Sequence, residues 1–151
     1  YGRTPVGRRV VVIGGGNTAI DAVTQAKRLG AREATIVYRR GESDMPCYRY
    51  EYDLAKRDGC AFRFHARPLR ILGDGHVSGL EVATPDGTAV IACDMVITAL
   101  GQTARGEFQV PAGSLRVFVG GDYASGGAEI VNAAAEGVRA AAAIHAFLLS
   151  G

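Results

Sequence analysis

RRVVVIGGGNTAIDAVTQAKRLG, Arg8 to Gly30, sets an apolar run, a glycine turn and a helical pattern in immediate succession. The run Val10 to Ile13 has no alternation, so it reads as a strand covered on both faces, as in a parallel sheet. From Asn17 the rhythm changes: Ala19, Ile20, Val23, Ala26, Lys27 and Leu29 fall on one helical face, and Gly30 marks the stop. "ATIVY", Ala34 to Tyr38, is then a second buried strand. Strand, helix, strand is a βαβ unit, for which a right-handed parallel crossover is expected.

Working outward, the sequence predicts a further helix from about Pro46 to Arg57, with Pro46 in its first turn. The middle of the chain is different. "FRFHARPLRIL", the turn Gly73 to Gly75, "HVSGLEVAT", the turn Pro85 to Gly87 and "TAVIA" read as short strands in an antiparallel meander. "DMVITALG", Asp94 to Gly101, returns to a buried parallel strand that ends in small residues. A second run, "RVFVGGDYASGGAEIVNAAAEGVRAAAAIHAFL" (Arg116 to Leu148), echoes the first as strand, glycine turn and helix. The fold class expected is α/β: a Rossmann-like parallel sheet with helices on both faces plus a small antiparallel meander.

Composition bounds the function. The 151 residues suit one domain and are short for two complete nucleotide-binding domains. With 48% hydrophobic and 21% charged residues, the chain is of ordinary globular make-up. A net charge of +2 argues against nucleic acid or an acidic membrane surface as partner, so any basic site must be local. Cys47, Cys60 and Cys93 form no C-x-x-C pair and read as reduced packing residues. No run is long and apolar enough to span a bilayer, and nothing at the start resembles a cleavable signal, so the expected location is the cytoplasm.

The glycine turn carries the chemistry. Gly14, Gly16 and Ala19 supply the small positions of G-x-G-x-x-G/A, after a strand and at the opening of a helix. Gly14 permits the tight turn, Gly16 lets the backbone approach a pyrophosphate, and Ala19 lets helix pack on strand. The first amides of the helix, near Asn17 and Thr18, then face the phosphates, and the helix dipole favours their charge. About 20 residues further on, an NAD site usually shows an acid for the ribose diol, whereas arginine suits a 2′-phosphate. Here stand Arg39 and Arg40, so NADP(H) is favoured over NAD(H), with Glu42 leaving some room for the latter.

These residues together resemble a known family. "VVVIGGGNTAIDAVTQAKRLGA…ATIVYRRGESDMP", "DMVITALGQT" and "VFVGGD…EIVNAAAEGVRAA" are similar to the flavin-dependent pyridine-nucleotide oxidoreductases. Among them the chain most resembles glutamate synthase small subunits and the NAD(P)H-handling part of dihydropyrimidine dehydrogenase. The resemblance implies that Gly14, Gly16, Asn17, Thr18 and Ala19 meet the pyrophosphate. By the same resemblance Arg39 and Arg40 meet the 2′-phosphate, with Arg49 a third basic contact. It also implies that Ala99 and Gly101 lie by the nicotinamide half, while Gly121 and Asp122 match the turn whose acid binds the flavin ribityl and phosphate region.

The family also accounts for the second glycine run. Its NAD(P)H domain is inserted into an FAD domain, so the chain returns to a second flavin-binding half. The expected organisation is residues 1–103 as NAD(P)H domain, 104–115 as a shortened connector and 116–151 as a remnant of the FAD domain. No G-x-G-x-x-G is expected ahead of Tyr1, and the connector reads as shorter than the family's, as though a segment had been removed. FAD is therefore expected in the longer family proteins and not to be retained by this chain. The expected partners are a nicotinamide dinucleotide and the missing flavin half or an electron-transfer subunit.

Other constellations carry less. Tyr52 and Lys56 have the Y-x-x-x-K spacing of short-chain dehydrogenases, yet they follow the second strand, far from any nicotinamide; a charged helix face with an Asp53–Arg57 pair is the preferred reading. His65, His76 and His145, read in a strand, a turn and a helix, have no metal-ligand spacing, and the cysteines match no iron–sulfur cluster. The alanine-rich helix, with Glu136 and Arg139, reads as an ordinary packing helix. Asp21 fits either a ribose contact or a solvent-facing carboxylate. No catalytic acid, base or metal ligand is assigned. The expected function is passage of hydride from NADPH or NADH to FAD as part of a longer oxidoreductase, the fragment alone being inactive; the alternative is a non-catalytic NAD(P)H-sensing module.

Overall fold

The computed structural model describes residues 4–102, 117–127 and 129–150. The connector expected at 104–115, with Thr103 and Arg116 beside it, lies outside them. The chain divides into two units, Tyr1–Gly101 and Gln102–Gly151.

In the first unit the chain runs β1 (Arg9–Ile13), α1 (Asn17–Arg28), β2 (Glu33–Val37), α2 (Arg49–Arg57) and β3 (Ala61–Arg63), then β4 (Arg67–Leu72), β5 (Gly79–Thr84), β6 (Gly87–Ala92) and β7 (Met95–Thr98). The strands form a four-stranded sheet in the order β3-β2-β1-β7 and a three-stranded sheet in the order β4-β5-β6. Every pairing in the first is parallel, with Val10 opposite both Ala34 and Met95. Every pairing in the second is antiparallel.

The unbroken valine run follows from this layering. Because side chains alternate along a strand, Val10 and Val12 point to one face, where Ile20, Val23 and Ala26 of α1 and Tyr52 and Ala55 of α2 cover them. Val11 and Ile13 point to the other, where Leu80 and Val82 of the antiparallel sheet cover them. Val10, Val11, Val12, Val23, Ile36 and Val37 are each at most 2% exposed. Each such side chain contributes about 1.5–3 kcal/mol by burial, whereas an exposed ion pair adds about 1 kcal/mol at most. Arg28–Asp58, at 2.8 Å on the surface, is therefore an accessory to the core.

Several expectations need correction. "FRF" does not begin the meander: Ala61–Arg63 pairs in parallel with β2, and the chain leaves through His65, a non-glycine at φ 52. His65 thus sits in a bend and not in a strand. The helix expected from Pro46 begins at Arg49, because Met45 is extended and Asn17 Oδ1 accepts a hydrogen bond from the Tyr48 amide at 2.9 Å, fixing the entry. Leu29, the C-cap of α1, is 54% exposed and lies off the buried face. Asp53 pairs with Arg49, one turn before it, and not with Arg57.

The second unit holds the short helix α3 (Asp122–Ser125) and the long helix α4 (Ile130–Leu149). Val117 to Gly120 form no strand among the described residues, although the second glycine run is expected to open with one. The start of α4 is closed by Asn132, whose Oδ1 accepts from the Glu129 amide at 3.1 Å. Phe118 meets Phe147 edge-on, with ring centroids 5.9 Å apart. A Cβ at Gly120 would come within 3.2 Å of the Glu136 carbonyl, so the extended segment runs close against α4. The expected packing helix is otherwise uncovered: among its described residues none is buried.

Candidate functional site

β1 has the helix-linked strand β2 on one side and β7 on the other. The connection from β1 passes through α1 to β2, whereas β7, on its other side, is reached only after β3 and the antiparallel sheet; at such a switch point sheets take ligands past the carboxyl ends of the strands, here β1 and β7. The Gly14 amide donates to Val37 O at 3.1 Å, and the Ala99 amide donates to Ile13 O at 2.8 Å, which closes the three strand ends around the turn. Gly14 has φ +149, and a Cβ there would strike the Ala99 carbonyl and press the Ala19 Cβ at 3.1 Å. Only glycine fits. Ala19 is fully buried beneath it.

Gly16 differs. Its φ is −86 and nothing lies within 4 Å of a Cβ built on it, so no packing reason forbids a side chain there. It is also the N-cap of α1, makes no side-chain cap, and is followed by no acid in the first turn. The Gly16 carbonyl accepts from Ala19 and Ile20, at 2.9 and 3.2 Å, which begins the helical ladder after the amides of Asn17 and Thr18. A helix start with spare amides, a positive dipole end and no carboxylate of its own is suited to an anionic diphosphate. Lys27 and Arg28 at the far end complement the dipole there. Asn17 and Thr18 differ in role: the Asn17 side chain already holds the Tyr48 amide.

Gly15, which the G-x-G-x-x-A spacing leaves unassigned, also has a packing role. A Cβ at this position would lie about 2.5 Å from the Tyr38 ring, so the middle glycine lets the aromatic at the end of β2 lie flat against the turn. Three consecutive glycines before a helix, and an aromatic closing the next strand, were the available signal. The Tyr38 hydroxyl donates to Asp44 O at 2.8 Å, which fixes the loop that follows.

That loop carries Arg39 and Arg40, both exposed. Its backbone is pinned, since the His65 amide donates to Arg40 O at 3.0 Å and the Gly41 amide donates to Asp44 Oδ2 at 3.0 Å. Neither arginine has an acid partner among the described residues. Arg49 is placed otherwise: its guanidinium bonds Glu42 at 2.9 Å and Asp53 at 3.3 Å and stands 4.6 Å above the Tyr52 ring. The Glu42 carboxyl is held below the usual range by its bonds from Tyr52 and Arg49. Burial first, and the bond to Glu42 second, push the Tyr52 hydroxyl up to about 12.

Just past β7, Ala99 is half-buried and Gly101 turns with φ +82. Gly121 and Asp122 belong to the second unit, where Gly121, at φ +70, caps α3 and Asp122 is exposed. Asp21 is exposed on α1. Cys47, Cys60 and Cys93 are free, and burial raises each thiol, which keeps them protonated at neutral pH. Among the described residues no cluster could hold a metal ion, and no helix is long and apolar enough to cross a membrane.

Residues 2–116 match the pyridine nucleotide-disulphide oxidoreductase family. Over 118 residues the chain is 41% identical to NADPH-Fe(3+) oxidoreductase subunit beta of Geobacter sulfurreducens, which covers 66% of this chain and 18% of that protein. It is 33% identical to the glutamate synthase [NADPH] small chain of Escherichia coli, over 94% of this chain and 39% of the relative. The fold matches that of Lactococcus lactis thioredoxin reductase with a TM-score of 0.83, over 97% of this chain and 55% of that one, at 19% identity. The chain thus spans less than two-fifths of the length of these two sequence relatives.

Proposed function

The chain belongs to the pyridine nucleotide-disulphide oxidoreductase family, and on that premise we propose that it is the NAD(P)H-holding part of a flavin-dependent oxidoreductase, with NADPH favoured over NADH. One observation carries the reading: an uncapped helix start over the side-chain-free space of Gly16 lies in the same unit as two arginines that have no acid partner among the described residues, at the end of β2. When bound, the nicotinamide supplies a hydride that the flavin of a longer protein accepts.

The chain's own residues bind and orient. Gly14, Gly16, Asn17, Thr18 and Ala19 form the diphosphate turn, Arg39 and Arg40 grip the 2′-phosphate, and Ala99 and Gly101 leave room at the nicotinamide end. Residues 1–103 make the nucleotide domain, 104–115 a connector and 116–151 the returning part of a flavin domain, in which Gly121 and Asp122 would face the ribityl and phosphate region. The flavin's other contacts come from a further half or partner subunit, so this chain alone does not retain FAD. The setting proposed is the cytoplasm. A purely sensing module is the less favoured reading, because the relatives above include oxidoreductases by name.

Calorimetric titration with each nucleotide tests the proposal. NADPH should bind more tightly than NADH, and Arg39→Gln with Arg40→Gln should weaken NADPH by about tenfold to a hundredfold through lost charge-assisted bonds, leaving NADH unchanged. Equal affinity of the unaltered chain for both nucleotides would refute the arginine assignment.

A further inference from the structure

We propose that Glu42 is a latent NADH determinant held out of the site by Arg49, so that Arg49 sets coenzyme preference through Glu42 and not by touching the phosphate. The inference rests on the reading of Arg39 and Arg40 as the 2′-phosphate clamp. It concerns the two acids that share their loop.

A carboxylate close after the second strand is what a ribose diol needs and what a 2′-phosphate repels. Glu42 is two residues past Arg40 in the same loop. Its carboxylate is engaged on the α2 side, where Arg49 Nη1 bonds Oε1 at 2.9 Å. The other acid of the loop, Asp44, accepts from the Gly41 amide at 3.0 Å. Both acids are thereby occupied, and Arg39 and Arg40 keep their full charge for a ligand.

Arg49 is poorly placed to add to that charge. Its guanidinium lies between the carboxylates of Glu42 and Asp53 and stacks 4.6 Å over Tyr52, so most of its charge is already balanced. The guanidinium fork can bond Glu42 and Asp53 at once because its donors diverge in a plane. Tyr52, 3% exposed, is the rigid floor of this arrangement. The pair is also exposed, at 67% for the Arg49 side chain and 41% for Glu42, which leaves it open to exchange with solvent.

A double-mutant cycle on the whole chain decides the matter, with NADPH and NADH affinities measured for the unaltered protein, Arg49→Gln, Glu42→Gln and both together. Arg49→Gln should weaken NADPH by about threefold to tenfold, the scale of one released charge acting through solvent on a phosphate dianion, and leave NADH at least as tight. Adding Glu42→Gln should restore NADPH to within about twofold. Circular dichroism confirms the fold of each variant. An equal NADPH loss with and without Glu42→Gln would place Arg49 on the phosphate itself and overturn the proposal, as would no loss at all. If instead Arg39→Gln with Arg40→Gln changes neither affinity, the underlying clamp is wrong and the Glu42 proposal falls with it.

Discussion

Ile13 and Val119 each precede a glycine turn and a helix, yet Ile13 is 6% exposed and Val119 is 42% exposed. The first belongs to a strand with parallel partners on both sides, helices over one face and an antiparallel sheet over the other. The second belongs to a segment with no strand partner among the described residues. Their helices differ in the same way. α1 buries Ala19, Ile20, Val23 and Ala26, whereas Ile130, Val138 and Leu148 of α4 are 88%, 70% and 70% exposed. Local pattern is enough to specify a helix, and the alanines of α4 favour one intrinsically. Burial needs layers, and among the described residues only the first unit supplies them.

The largest effect that could break this contrast is on stability. Ile36→Ala, at a fully buried position of β2, should lower the unfolding free energy by about 2–5 kcal/mol. Leu148→Ala should change it by about 0.5 kcal/mol or less, as at other uncovered positions. Urea denaturation followed by circular dichroism measures both. A loss at Leu148 as large as that at Ile36 would mean that α4 has a covered face after all.

A smaller effect sharpens the picture around α2. Tyr52 ionises near 10 when unfolded and at about 12 in the fold. The folded state therefore keeps its proton longer, so this contribution to stability is fully present below pH 10 and is lost as the pH climbs from 10 to 12. Tyr52→Phe should flatten that decline in urea midpoints measured across the same window. An unchanged slope would show that the decline comes from other groups.

Much of the first unit was legible because its physics is written locally. A strand buried on both faces must be apolar without alternation, as Val10 to Ile13 is, and a helix covering one face must repeat near every third or fourth residue. The G-x-G-x-x-A spacing likewise carried its own geometric reason, later matched by Gly14 against the Ala99 carbonyl. The misses lie where distant partners decide. Ala61–Arg63 is three residues long and alternating, a pattern equally at home in either sheet; its parallel pairing with β2 settles the matter. Arg57 and Arg49 are both one turn from Asp53, and it is Arg49, which also bonds Glu42, that takes it. The start of α2 depends on Asn17, 31 residues before Tyr48, which no local window contains. Gly15 and Tyr38 escaped for the same reason, being a contact between two strand ends.

The central claim, that a dinucleotide diphosphate rests on the first amides of α1, is tested most directly by backbone amide NMR during NADPH titration of the unaltered chain and of Gly16→Val. A Cβ at this position meets nothing within 4 Å and needs no unusual φ, so the added side chain is directed at the ligand's space, with circular dichroism checking the fold. The account predicts the largest shifts at Asn17 and Thr18, and about tenfold or weaker binding in Gly16→Val as the amide–phosphate bonds are lost. Shifts that leave Asn17 and Thr18 unmoved, with Gly16→Val binding as tightly as the original, would contradict it.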